Sequence, residues 1–558
     1  MLNLMFREKI REKLTTLAPT GVGFDVSAGE GKFGDYATNL ALVLAKPAGK
    51  DPAVVAQELI GQLQGDTGFL NYFERLEVAG PGFINFYLSE RALNESLAEI
   101  TEQKARFGYS DPGDKQKINI EFVSANPTGP LTLGNGRSAA YGEALTRLFK
   151  FFGHTVTKEY FLNDIGRQVR ILGESVARKY LGQLTSGGEE MPKPAGVVQG
   201  ETVDFPEEMY QGEYINDLAK EFADTKPANK DLASLAESAQ QFAIPKMVEQ
   251  IKHSLESFGV VHDVWFSEKS LQDNQEIEAV LKQLAKKNLS YEKDGALWFK
   301  AMQFGLDKDI VIRKSDGFTS YILSDFAYAI NKAKRGYDQI IYILGADHHG
   351  DVARIKAGLQ ALGLAEEKFT LLIYQVVIFL DKGEKFKMSK RAGKFITLAD
   401  LLAEVPADVI KFFFLMKSMD SQMDFDFALA KEESNKNPVY YVQYAYVRLL
   451  GVLRQAHEQG ITGELAAYQW NEAEKNLLKT LARYPEILKD CLEDWQLHRL
   501  ASFLLALAGT ISRFYEVSRV IGAESAAAAK MRLILVEGSA IVLRNGLHLL
   551  GLTAPEQM

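Results

Sequence analysis

The sequence predicts a multidomain α/β protein in which a Rossmann-type parallel-sheet domain lies between a small α/β N-terminal domain and an all-α C-terminal domain. Three observations predict it. An alternating strand, a glycine-rich turn and a long helix succeed one another over 118–152, the order that opens a doubly wound sheet. Short apolar runs at Gln339–Leu344 and Leu371–Phe379 each sit beside a helical stretch, and such alternation favours parallel strands. From about residue 400 onward Ala and Leu dominate, Pro is rare and strand alternation is absent, which reads as helix.

Residues 1–112 form the small α/β domain in this reading. A charged, helix-like opening precedes FGDYATNLALVLAK (33–46) and a helix candidate at 52–64. ERLEVAGPGFINFYL (74–88) then alternates around a Gly-Pro turn, as paired strands do. The Rossmann-type domain is placed at 113–400. Ile118, Ile120 and Phe122 alternate on a strand that runs into the turn cluster Asn126-Pro127-Thr128-Gly129-Pro130. A helix follows from Gly136 to Phe152, with Ala140, Ala144, Leu148 and Phe151 on one face. An insertion is expected around 183–300. Within it, 185–208 is rich in Gly, Pro and Glu and reads as a loop, and helical pattern resumes at 213–258. A connecting helical segment at 401–436 leads to the all-α domain at 437–558.

The 558 residues suffice for three or four domains. A hydrophobic share of 46% with 25% charged residues fits a globular chain rather than disorder. The single cysteine, Cys491, excludes an internal disulfide framework and a cysteine-rich zinc site, and suits a reducing compartment. In MLNLMFREKIREKL charges come too early and too often for a signal peptide. No apolar run reaches the roughly 18 residues of a membrane span. A cytoplasmic protein without membrane contact is expected. The net charge of -9 offers no bulk attraction to nucleic acid, but local basic patches decide such binding.

Two stretches carry chemistry. In SANPTGPLTLGNGRSA (124–139) a glycine-rich turn enters a helix. Glycines such as Gly134 and Gly136 let a backbone approach a phosphate closely, and the helix start presents unpaired N–H groups and a positive dipole end. Thr132 and Asn135 can donate hydrogen bonds there, and Arg137 adds charge. The alternative is a turn whose glycines only allow tight packing. In FKMSKRAG (386–393), Lys387 and Lys390 flank Met388 and Ser389. Two such lysines can neutralise charge developing on a leaving pyrophosphate. The alternative is a solvated basic loop, since lysines recur throughout DKGEKFKMSKRAGK.

Glu121 and Asn126 bracket the carboxyl end of the first strand of this sheet, where open α/β sheets hold ligands. Tyr321 and Asp325 stand four apart in SYILSDFAYAINK, so one helical face carries both. Carboxylates match a guanidinium fork through paired, charge-assisted hydrogen bonds. These four residues therefore suit an arginine pocket, unless Asp325 is a helix cap and Tyr321 is simply packed. Asp347, His348 and His349 follow a buried strand in YILGADHHG and can line a nucleotide bed. Adjacent histidines lack the usual i, i+4 spacing of metal ligands, and no protein-bound structural metal is expected. In NPVYYVQYAYVRLL (437–450), Tyr440, Tyr441, Tyr444 and Tyr446 accompany Arg448. Such a face stacks unpaired bases or packs into a core.

These phrases resemble, nearly end to end, the arginyl-tRNA synthetases of class I. EFVSANPTGPL, EYFLNDIGRQ (159–168), QGEYI (211–215), DVWFSE (263–268), KDGALWF (293–299), ILGADHHG (343–350), FFFLMKS (412–418) and LLGLTAPEQM follow in the family's order. The resemblance implies that Glu121, Asn126, Tyr321 and Asp325 bind arginine. Thr132, Gly134, Asn135, Gly136, Asp347, His348 and Lys387 to Lys390 would handle ATP, with Thr132, Asn135, Lys387 and Lys390 carrying the catalysis. Phe83 and Asn85 would meet the tRNA elbow at the D-loop. Tyr441, Tyr444, Tyr515 and Met558 would lie at the anticodon. A monomer is implied, using Mg2+ with ATP to form arginyl-adenylate and then loading the terminal 2′-hydroxyl of tRNA(Arg). The family's His-x-Gly-His is here Thr132-Leu133-Gly134-Asn135, a variant similar to one in some tryptophanyl members, and slower activation or weaker ATP binding is expected. Leu306, Lys394 and Tyr446 depart from a common aspartate, asparagine and histidine. A catalytically weak paralogue that binds tRNA or arginine is the alternative function.

Overall fold

The computed structural model describes residues 5–29, 33–185, 205–227, 231–381, 384–385, 396–465 and 468–558. Contacts sort the chain into two units, Gly113–Glu432 and Met1–Pro112 together with Glu433–Met558.

In the second of these, β1 (Val26–Ala28), β2 (Tyr36–Thr38), β3 (Phe73–Ala79) and β4 (Phe83–Leu88) form an antiparallel sheet in the order β1-β2-β4-β3. Alternation puts Ile84, Phe86 and Leu88 of β4 in the core. There Phe86 meets Phe73 edge-on with ring centres 5.4 Å apart. The predicted turn falls at Gly80 to Gly82. A side chain at Gly82 would come within 2.6 Å of Pro52, so the helix Pro52–Gln64 requires glycine there. The C-terminal part of this unit is a bundle of the helices Pro438–Glu458, Glu472–Ala482, Tyr484–Asp494, His498–Val517 and Ala526–Leu549.

The helix His498–Val517 is long and apolar enough to cross a membrane by composition. Its Leu504, Leu507, Ile511 and Phe514 are instead buried in the bundle. The N-terminal domain is tied to this bundle by polar joints. Arg7 holds Asp490 through both terminal nitrogens, at 2.9 and 2.5 Å. The Tyr36 hydroxyl donates to Glu486 at 3.1 Å, and Lys479 pairs with Asp35 at 2.9 Å.

The unit Gly113–Glu432 is built on a five-stranded parallel sheet. Its strands are β5 (Lys117–Glu121), β6 (Thr155–Leu162), β7 (Val264–Ser267), β11 (Gln339–Gly345) and β12 (Phe369–Tyr374), in the order β12-β11-β5-β6-β7. β5 is central, and Ile118 to Glu121 are buried, as expected of a strand covered on both faces. The helix Leu133–Phe151 follows the glycine turn and starts three residues earlier than its sequence pattern implies. It presses so closely on β5 that a side chain at Gly142 would sit 2.4 Å from Phe122. The helical stretch 213–258 resolves into Glu213–Asp224 and Leu232–Ser257, which pack on the helix Arg167–Thr185. β8 (Ser290–Lys293), β9 (Ala296–Phe299) and β10 (Ile310–Arg313) make a small antiparallel sheet.

Two sequence expectations are corrected. The apolar run 371–379 is not one strand. It splits at Gln375, whose N–H donates to Met419 O, and continues as β13 (Val377–Asp381) in another sheet. That sheet contains β14 (Glu384–Lys385) and β15 (Met423–Asp426) in the order β14-β13-β15. β15 lies where only helix was expected. Its alternation spans just four residues, so pairing with β13 defines it rather than any local pattern. Residues 401–432 group with the parallel-sheet unit.

Candidate functional site

The carboxyl ends of β5 and β11 open into a cavity of about 720 Å³ at the point where strand order reverses. Just past β5 the backbone is left-handed at Val123 (φ 71°) and Ser124 (φ 37°). Such a conformation costs a β-branched residue about 1–3 kcal/mol, and persists only where surroundings over-determine it. Here Ser138 Oγ accepts from the Val123 N–H at 3.1 Å. Ser124 Oγ accepts from the Phe161 N–H and donates to Glu121 Oε1, both at 3.0 Å. The kink thereby fixes Glu121 on the cavity wall.

Glu121 carries its own counter-ion. Lys332 Nζ lies 2.5 Å from Glu121 Oε2, and both side chains are buried. Glu121, expected from sequence in an arginine pocket, thus lines the cavity with a counter-ion already in place. Asp325 differs. It sits one turn into the helix Tyr321–Lys334, so it is not a cap. Burial, then the charges of Glu268, Asp351 and Glu121, push its carboxyl up to about 8. Glu268 lines the same cavity, and burial raises its carboxyl too, against hydrogen bonds from Ser324 and Asn163. Among the described residues neither Asp325 nor Glu268 has an ion pair. Tyr321, 60% exposed, stands at the opening, and Asn126 donates to Gln168 at 2.9 Å beside it.

Thr132 and Asn135 close the first turn of the helix Leu133–Phe151. The Thr132 N–H and hydroxyl both donate to Asn135 Oδ1 at 2.9 Å. Asn135 lines the cavity, and Thr132, Gly134 and Gly136 lie behind it in the turn. A side chain at Gly136 would meet Leu398 at 3.0 Å, so this glycine permits close packing. Arg137 does not add charge to the site. Only 1% exposed, it donates to the carbonyls of Gln375, Ser418 and Ser421 at 2.7 to 2.9 Å. It ties the helix to the turns flanking β13 and β15. Asp347, His348, Asp351 and Arg354 line the far wall, with His348 Nδ1 3.2 Å from Asp351. Among the described residues no cluster of His, Cys, Asp and Glu suits a metal. Lys387, Met388, Ser389, Lys390 and Lys394 lie outside the described residues.

Glu268 and Lys332 were not singled out from sequence. Lys332 lies seven residues after Asp325 and four after Tyr328, on the same helical face, and that spacing was readable. Its pairing with a residue 211 positions away was not.

In the other unit, Phe83 is 39% exposed on the outer face of β4, and Asn85 on the same face is only 4% exposed. Tyr441, Tyr444, Arg448 and Tyr515 converge on a small pocket in the helical bundle. Arg448 lies over the Tyr515 ring at 4.5 Å, and Tyr441 donates to Ser512 at 3.2 Å. Tyr446 of the same stripe is core, and Met558 is 51% exposed outside the pocket.

Three family models match the chain. Residues 5–88 match the arginyl-tRNA synthetase N-terminal domain, 96–414 the catalytic domain of class I (R) tRNA synthetases, and 442–558 the DALR anticodon-binding domain. An arginine–tRNA ligase of Carboxydothermus hydrogenoformans is 42% identical, over 94% of this chain and 92% of its own. One from Desulforamulus reducens is also 42% identical with the same shares covered. The fold matches Thermus thermophilus arginyl-tRNA synthetase with a TM-score of 0.75 at 22% identity, over the full length of both chains.

Proposed function

The chain belongs to the class I arginyl-tRNA synthetases, and from that premise we propose which of its residues perform the reaction. The activity is ligation of arginine to its tRNA with ATP through arginyl-adenylate. Asp325, helped by Glu268, takes the guanidinium of L-arginine. The observation that carries this is a pair of carboxylates without counter-ions in one cavity, Glu268 buried and Asp325 half-buried. A guanidinium supplies the missing cation and its fork suits paired carboxylate oxygens. Tyr321, Asn126 and Glu121 orient the rest of the amino acid.

Its carboxylate oxygen attacks the ATP α-phosphorus, and the bond to pyrophosphate breaks. Positioning and fixed dipoles carry such a step. The turn Thr132–Gly136 with Asp347 and His348 beds the nucleotide. Asn135 offers its Nδ2 donors because Thr132 occupies its Oδ1. Lys387, Lys390 and the intervening Met388 and Ser389 are assigned to the pyrophosphate on sequence grounds. Mg2+ enters with ATP as part of the substrate.

Residues 1–112 serve the tRNA elbow through Phe83 and Asn85, and 437–558 the anticodon through Tyr441, Tyr444, Tyr515 and Met558. The catalytic unit spans 113–432, and the short stretch 433–436 leads from it to the anticodon domain. The enzyme works as a cytoplasmic monomer without membrane contact.

Arginine-dependent ATP–pyrophosphate exchange, with and without arginine tRNA, tests the assignment. Exchange in the presence of tRNA is expected. A folded chain that binds tRNA without exchange would instead be a weak paralogue.

A further inference from the structure

Lys332 is fully buried behind the cavity wall and does not line it. Its Nζ lies 2.5 Å from Glu121 Oε2, with the rings of Tyr342 and Tyr328 at 4.0 and 4.4 Å. Next to it, fully buried Glu159 accepts from Asn119, from the Tyr328 hydroxyl and from both terminal nitrogens of Arg335. Glu121 on β5, Lys332 and Arg335 on the helix Tyr321–Lys334 and its cap, and Glu159 on β6 thus alternate in sign and balance. Asp325 and Glu268 lie outside that balance.

We propose that Lys332 is a positioning residue for arginine selection: its ion pair holds the Glu121 carboxylate in place on the cavity wall and offsets its charge, while Asp325 and Glu268 meet the ligand without a counter-ion of their own. This rests on the reading of the cavity as the arginine site. A buried carboxylate stripped of its partner is strongly unfavourable and takes up a proton instead. Without Lys332, Glu121 therefore either protonates or becomes a third uncompensated acid, and in both cases it turns from its place beside Ser124. The ionisable groups facing this pair are Glu159, Tyr342, Tyr328, Arg335 and Asp325. Glu159 is matched by Arg335, and burial drives the tyrosines to stay neutral.

The experiment is direct arginine binding to the full chain by calorimetry, from about pH 6 to about pH 9. The proteins are wild type, Lys332→Arg, Lys332→Met and the doubly neutral Glu121→Gln/Lys332→Met. Lys332→Met is expected to weaken arginine binding about tenfold or more and to add a proton-linked step. Lys332→Arg should restore affinity to within about threefold of wild type. The double variant should lose the added proton-linked step. If Lys332→Met does not fold but the double variant does, as read by circular dichroism, charge compensation is likewise supported. Wild-type affinity and pH dependence in Lys332→Met overturn the inference, as does a double variant as pH-dependent as the single one. Wild type that fails to bind arginine overturns the site reading itself.

Discussion

Thr132 directs both its donors, the backbone N–H and the hydroxyl, at the single Oδ1 of Asn135, each over 2.9 Å. The amide cannot rotate without breaking both bonds. Its nitrogen end is therefore the end that Thr132 does not engage, on a residue that lines the cavity. A neutral pair in this turn thus presents a fixed donor where a histidine pair would present ionisable ones.

Asn135→Ala removes that donor and one capping contact. We predict a fall in kcat for pyrophosphate exchange of about a hundredfold, with a stability loss of only about 1 kcal/mol. Thr132→Ser, which keeps the hydroxyl, should stay near wild type. Equal losses in both variants would refute the relay from Thr132 through Asn135. Because neither side chain titrates near neutrality, this turn should add no ionisation to the pH profile of kcat.

Asp325 should dominate the pH dependence of arginine binding. Its carboxyl titrates at about 8 in the free protein, and a bound guanidinium favours the ionised form. Arginine affinity should therefore rise with pH up to about 8 and level off above it. Calorimetry at neutral pH in two buffers of different ionisation enthalpy should detect close to one proton released per arginine. Because this folded carboxyl titrates above its unfolded value of 3.8, its contribution to stability is present at low pH and lost between about 4 and 8. Asp325→Asn should consequently gain up to about 5 kcal/mol of stability at pH 8 while losing arginine binding. A destabilised Asn variant would contradict the raised carboxyl.

Arg137 should prove structural. Burial lowers its guanidinium to about 10, and its donors satisfy three carbonyls in the turns around β13 and β15. Arg137→Leu leaves those carbonyls unpaired, so chemical denaturation should show a loss of about 3 kcal/mol or more. A variant of unchanged stability with a raised KM for ATP would return Arg137 to the nucleotide.

Tyr515 offers the reverse case. Among the described residues its buried hydroxyl has no hydrogen-bond partner, and the residue lines the small pocket it shares with Arg448 and Tyr441. Tyr515→Phe should therefore leave stability unchanged or raise it by about 1 kcal/mol, because an unsatisfied buried group is removed. The KM for tRNA should rise several-fold if that hydroxyl awaits a base. An unaltered KM for tRNA would remove Tyr515 from the anticodon contact.

What the sequence made legible follows from the range of each signal. The order strand, glycine turn, helix is local, and β5 with the helix Leu133–Phe151 appeared where the pattern placed them. The spacing of Tyr321 and Asp325 is also local, and both line the cavity. Arg137 misled because a cation beside a phosphate turn looks the same in sequence as a cation buried under three carbonyls. β13 and β15 were missed because short strands take their identity from a partner about 45 positions away. Glu121 looked free because its partner Lys332 comes from a helix that only the folded sheet brings near.

The joints of Arg7 to Asp490 and of Tyr36 to Glu486 also set an order of assembly. The unit holding both is interrupted by 113–432. At about 5–20 residues per second of synthesis, the N-terminal domain waits tens of seconds before its partner helices exist. The parallel-sheet unit is contiguous and can finish first. The nascent N-terminal domain should therefore remain protease-sensitive on ribosomes stalled before residue 494 and become protected once that helix has emerged, which limited proteolysis of stalled chains would read directly.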